Sequence, residues 1–193
     1  MLDKRKFYIN GKWVNPLTTN DLEVINPSNE ESFAVISLGD IADTNIAVEA
    51  AQKAFITWSK STKEDRVSLL QKLYEIYKLR WNDMAEAISL EMGAPIDMAI
   101  EQQSATGAGH IKSFIQTLQN FEFESTYHEE SDNYIAYEPI GVCALITPWN
   151  WPINQMTLKV IPALASGCTM ILKPSEIAPM SGMLFAEMIH EAG

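Results

Sequence analysis

Cysteine is almost missing. Cys143 and Cys168 are the only two in 193 residues, too few for the disulfide framework of a small secreted domain. The three histidines, His110, His128 and His190, are scattered without metal-ligand spacing, so no metal site is expected. Positive charge is also scarce. Fourteen lysines and arginines stand against 25 aspartates and glutamates, for a formal net charge of −11. No basic cluster offsets this locally, so a phosphate backbone is repelled and nucleic acid is not an expected partner. No apolar run approaches the roughly 20 residues that span a bilayer, so no membrane association is expected. The start, MLDKRKFYING, is basic but lacks the apolar run of a signal peptide. Repeats and low-complexity tracts are absent, and so is the G-x-G-x-x-G dinucleotide fingerprint. These absences together predict a cytoplasmic protein.

What is present reads as a mixed fold with a real core, since 47% of the residues are hydrophobic. Phe7–Ile9 and Lys12–Val14 flank Asn10-Gly11, a pair that accepts the positive φ of a type I′ hairpin turn. A second strand pair is expected at Leu22–Ile25 and Phe33–Ile36, joined by turn-rich residues 26–30. Ala47, Ala50, Ala51, Ala54, Phe55 and Trp58 recur at helical spacing, on a helix begun near Asp43. Ser61 with Glu64 suggests a capping box for the next helix. Its stripe of Val67, Leu70, Tyr74, Tyr77 and Trp81 continues through Met84, Ile88 and Met92 to Gly93. Pro95 marks the first position of a further helix reaching about Gln119, with Ile111, Phe114, Ile115 and Leu118 inward. Residues 121–139 alternate around a polar turn at 129–133, which predicts a two-stranded ribbon with one wet face. Such a ribbon is marginal alone and needs a surface to lie on, another subunit included.

The last third reads β-α-β-α. Gly141–Thr147 suits a strand buried on both faces. Pro152–Ser166 is helical, although Pro162 inside it predicts a kink. Cys168–Leu172 is a second buried strand, and Pro179–Ala192 a closing helix. Strands joined through a helix are parallel with a right-handed crossover. The loops that leave them, PWNW at 148–151 and KPSE at 173–176, therefore share one sheet edge, where open α/β sheets bind ligands. An amide, an ammonium, a carboxylate and a hydroxyl thus converge. On the residues alone, Asn150 suits either a ligand-facing amide or the cap of the following helix.

Gly141-Val142-Cys143, the block ITPWNWP, PALASG at 162–167 and ILKPSE at 171–176 resemble the aldehyde dehydrogenase superfamily. The opening hairpins and EMGAP at 91–95 match its N-terminal part, so the resemblance covers nearly the whole chain. It implies that Asn150 donates its amide to the oxyanion formed when a cysteine thiolate attacks an aldehyde. Losing such a donor typically costs about 10²–10³ in rate. It further implies that Lys173 and Glu176 bond the adenosine ribose of a nicotinamide cofactor, with Ser175 beside them and Thr147, Pro148 and Trp149 lining the cleft. Glu176 accepts from both ribose hydroxyls and repels a 2′-phosphate, by roughly 4 kcal/mol for charges about 4 Å apart at an effective dielectric near 20. NAD is therefore expected over NADP.

The implied fold is α/β, an incomplete open parallel-sheet, Rossmann-like cofactor domain with N-terminal hairpins, helices and a protruding β-ribbon. Its parts are residues 1–120, an oligomerisation ribbon at 121–139, and the first β-α-β-α of the nucleotide sheet at 140–193. The family's catalytic domain, nucleophilic cysteine, general-base glutamate and cofactor-turn glycines are expected beyond Gly193. Cys143 and Cys168 are expected to be inert buried thiols, the histidines surface or helix residues, and Glu91 and Glu101 solvated or structural. The full-length protein is then expected to oxidise an aldehyde to a carboxylic acid through a thioester and to form a dimer or tetramer, with this piece inactive alone. Two other readings remain open: a non-catalytic assembly module pairing through the ribbon, and a superfamily member that oxidises semialdehydes or acylates coenzyme A.

Overall fold

The computed structural model describes residues 1–128 and 132–193. Its order is β1 (Leu2–Lys4), β2 (Phe7–Ile9), β3 (Lys12–Val14), β4 (Asp21–Asn26), β5 (Glu31–Ser37), α1 (Ile41–Trp58), α2 (Lys63–Leu79), α3 (Trp81–Met92), a short α4 (Ile96–Met98), a π-helical stretch (Ala99–Gln103), α5 (Ser104–Asn120), β6 (Glu124–Thr126), β7 (Tyr134–Ala136), β8 (Val142–Ile146), α6 (Pro152–Ala165), β9 (Thr169–Lys173) and α7 (Met180–Ala192). β2 and β3 form the expected hairpin, with Asn10 at φ 52° and Gly11 at φ 71°. β4 and β5 are antiparallel as expected, but β1 adds to β5 in parallel. A three-residue strand paired with a partner some 30 positions away leaves little local pattern to read.

Helices α2, α3, α5, α6 and α7 enclose the main core, where Leu70, Tyr77, Met84, Ile88, Ile111, Ile153 and Phe185 lose all contact with solvent. Caps explain several boundaries. Asp40 accepts from Ala42 and Asp43 and starts α1 at Ile41, so Asp43 is the third residue of a capping box rather than the start. The next box is one residue later than expected. Thr62 accepts from Asp65 N (3.1 Å) while Asp65 accepts from Thr62 N (3.0 Å). Ser61 instead accepts a hydrogen bond from Arg66. The expected single helix to Gly93 breaks at Arg80 (φ −102°, ψ 21°), whose guanidinium meets Asp83, Glu187 and Glu191. Pro95 and Pro179 each stand one position before their helix.

Two further expectations need correction. β8 is not buried on both faces: Ala144 and Ile146 are exposed and Cys143 is half-buried, because β8 and β9 form a sheet of only two strands. The ribbon is real, but Glu124–Thr126 pairs with Tyr134–Ala136 and β7 is exposed at every residue, so it has more than one wet face. The expected polar turn falls partly on residues 129–131, outside the described residues. Helix α6 runs through Pro162. The ring removes one donor to the Leu158 carbonyl, at an exposed position where water can replace it.

Glu91 is structural, not solvated. It is 2% exposed, and its two oxygens accept the backbone N–H groups of Met180 and Ser181 at the start of α7. Burial pushes its carboxyl up to about 7 from 4.5, against the pull of those donors. The folded chain therefore holds this proton more tightly than the unfolded chain does. The linked stabilisation is complete below about pH 4.5 and is lost as pH rises through about 7. Unfolding free energy measured across this window should fall with pH more steeply in the wild type than in Glu91→Gln; parallel curves would refute the assignment.

Candidate functional site

Parallel pairing of β8 with β9 sets the geometry. Ile146 lies opposite Lys173, and the Thr147 N–H donates to the Lys173 carbonyl at 3.2 Å. Both following loops therefore leave the same carboxyl edge, side by side. In the first, Thr147 is buried while Pro148, Trp149 and Asn150 are exposed. Trp151 then adopts φ 53°, ψ 56°, a left-handed conformation costly for a bulky residue and doubly unusual before proline. Pro152 follows as the first residue of α6, with Ile153, Met156, Val160 and Ile161 buried below.

This turn bears on the capping reading of Asn150. The capping position of α6 is Trp151, and no side chain caps the helix. Among the described residues, the Asn150 amide has no hydrogen-bond partner, so it is not a helix cap. Nearby on α6, Asn154 Oδ1 lies 2.8 Å from His110 Nε2, which gives that histidine a structural partner.

In the second loop, Lys173 Nζ pairs with Glu176 Oε2 at 2.8 Å, both side chains about half exposed. The ammonium holds the Glu176 carboxyl below the ordinary glutamate range. Ser175 Oγ accepts from Ile177 N (3.3 Å) and its carbonyl accepts from Ala178 N (3.2 Å), which folds the loop back toward α7. Pro174 packs on Gly182, where an added Cβ would stand 3.1 Å from the proline Cγ. An exposed cation beside an exposed carboxylate is a donor and acceptor set suited to vicinal hydroxyls. A broad concavity lies elsewhere, among Lys4, Arg5, Trp13, Met183 and Glu187, and neither loop lines it.

Cys143 on β8 and Cys168 just before β9 are free thiols, the first half-buried and the second buried. No group of three or more acidic, histidine or cysteine side chains among the described residues is placed to hold a metal. Sequence reasoning missed the left-handed Trp151 and the contact between Glu91 and α7. Trp-Pro is a visible signal for a constrained turn, but nothing local ties residue 91 to residue 180.

Residues 13–193 match the aldehyde dehydrogenase family. The chain belongs to it. A 3-succinoylsemialdehyde-pyridine dehydrogenase from a Pseudomonas species is 44% identical over all of this chain, which covers 40% of that protein. A crystal structure of an aldehyde dehydrogenase from Bartonella henselae superposes with a TM-score of 0.98 at 56% identity, covering 100% of this chain and 40% of that one. An aldehyde dehydrogenase C variant from Pseudomonas syringae, in complex with NAD+ and octanal, gives 0.95 at 45% identity, covering 98% and 38%. The mixed α/β architecture with small open sheets is thus the aldehyde dehydrogenase fold, and the chain spans about 40% of the length of the relatives it matches. Aldehyde dehydrogenases use NAD(P), and no helix among the described residues is long and apolar enough to cross a membrane.

Proposed function

We propose that this chain supplies the cofactor edge and the oxyanion donor of an NAD-dependent aldehyde dehydrogenase, a cytoplasmic homo-oligomer that oxidises an aldehyde to a carboxylic acid. One observation carries this reading. The unpartnered Asn150 amide and the Lys173–Glu176 pair leave the same end of two hydrogen-bonded parallel strands. The amide is a neutral donor that stabilises negative charge without proton transfer, which suits an oxyanion. The constrained Trp151-Pro152 turn restricts its wandering. Exposed Tyr127, Tyr134 and Tyr137 on and beside the ribbon suit pairing with a second copy.

NAD, when bound, supplies the hydride acceptor. Lys173 and Glu176 would hold its adenosine ribose, Ser175 would support the loop, and Thr147, Pro148 and Trp149 would line the cleft. A carboxylate at the ribose disfavours a 2′-phosphate. In the full-length enzyme, calorimetry should give tighter binding of NAD than of NADP. Glu176→Gln should narrow the ratio by about tenfold, the effect of removing roughly 1.4 kcal/mol of discrimination. Tighter NADP binding by the wild type would overturn this preference. A semialdehyde substrate is a second reading, favoured by the name of the 44%-identical relative. A higher kcat/KM for a simple alkyl aldehyde than for a semialdehyde whose far end is a pyridyl ketone would dismiss it.

A further inference from the structure

Glu91 is a buried carboxylate with no role in the chemistry above. It sits in the last turn of α3, close to that helix's negative end, where a carboxylate is disfavoured. What stabilises it there is the opposite, positive end of another helix. α7 begins after Pro179 with no side-chain cap of its own, so its first N–H groups lack partners. Glu91 Oε2 accepts from Met180 N, and Oε1 accepts from Ser181 N at 3.1 Å.

The start of α7 is also the floor of the cofactor loop. Only Ile177, Ala178 and Pro179 separate Glu176 from Met180, and the last two are buried. Pro174 rests on Gly182, one residue past the pair that Glu91 holds. The loop is therefore fixed at both ends, at Lys173 by β8 and at Met180 by Glu91. α3 is a firm anchor, since Met84, Ala85 and Ile88 are wholly buried and Ser89 Oγ donates to the Ala94 carbonyl at 2.8 Å.

We propose that Glu91 is a positioning residue for cofactor binding: by clamping the first turn of α7 onto α3, it holds Lys173, Ser175 and Glu176 in register with the Asn150 loop. This rests on the cofactor reading above. The role is separable from general stability because it acts on one ligand. In the full-length enzyme, Glu91→Ala should raise KM and Kd for NAD by about tenfold, since misplacing a binding group by a fraction of an ångström weakens its contacts. The KM for aldehyde and kcat at saturating NAD should stay within about twofold. Glu91→Gln keeps one acceptor and should fall between wild type and Glu91→Ala. Loss of active enzyme with both KM values unchanged would mean a merely structural role and would overturn the proposal.

If neither variant folds, hydrogen exchange on the wild type decides. NAD should slow exchange at the Met180 and Ser181 amides, and unchanged exchange there would count against the clamp. The two readings fail differently. A wild type that does not bind NAD refutes the cofactor reading and this one with it. A wild type that binds NAD, is weakened by Lys173→Ala and is indifferent to Glu91→Ala refutes only the clamp.

Discussion

Asn150→Ala in the full-length enzyme should lower kcat by about 10²–10³-fold while leaving NAD affinity within about twofold. The expectation follows from where the side chain is and what it does not do. It is exposed on a short loop, it caps no helix, and among the described residues it bonds to nothing. Truncation therefore breaks no interaction of the folded chain, and the melting temperature should change little. Asn150→Asp is the sharper variant. It keeps the shape but places negative charge where an oxyanion forms, so its kcat should be no higher than that of Asn150→Ala. Turnover retained within about threefold in the alanine variant would remove the amide from the chemistry. A large drop in stability would instead show that the amide has a structural role.

The second large effect is on folding. Gly167→Ala should destabilise the protein by roughly 3 kcal/mol or more, from left-handed strain plus displacement of a buried, hydrogen-bonded charge. Gly167 follows α6 at φ +84°, and an added Cβ would stand 2.6 Å from the Arg66 guanidinium carbon. That guanidinium has little room to retreat. Nε donates to Ser61 Oγ (2.9 Å), Nη2 to the Ser59 carbonyl (3.1 Å) and Nη1 to the Ala165 carbonyl (3.4 Å), with the Phe123 ring below it. Ser59 and Ala165 close α1 and α6, so the cation sits at two negative helix ends instead of beside a carboxylate. Burial draws its pKa below the usual arginine value. Gly109→Ala is the control, since nothing lies within 4 Å of its added Cβ in the middle of α5. It should stabilise by about 0.5–1 kcal/mol through helix propensity. Equal effects of the two substitutions on denaturant midpoints would refute the guanidinium wedge.

What could be read from the sequence was what is encoded locally. Asn10-Gly11 specifies its hairpin because two adjacent residues carry the positive φ values. The β-α-β pattern placed residues 148–151 and 173–176 on one edge because neighbouring strands joined through a helix run parallel. The capping box of α2 was displaced by one because Ser61-x-x-Glu64 and Thr62-x-x-Asp65 overlap, and only backbone conformation separates them. Arg66 and Glu91 were not legible as buried charges, since the Ala165 carbonyl that Arg66 reaches lies 99 residues away and the Met180 amide that Glu91 holds lies 89 away. The same limit hid the parallel pairing of β1 with β5. Continuous apolar residues in β8 overstated its burial because the faces they suit are only partly covered in this chain.

The most direct measurement is a crystal structure of the full-length protein soaked with NAD. The adenosine ribose should lie within hydrogen-bond distance of Lys173 and Glu176, with the nicotinamide end reaching toward the Asn150 loop across the carboxyl edge of β8 and β9. A cofactor bound elsewhere, or one that reaches the Lys173 loop but runs away from Asn150, would contradict the shared crevice on which the functional reading depends.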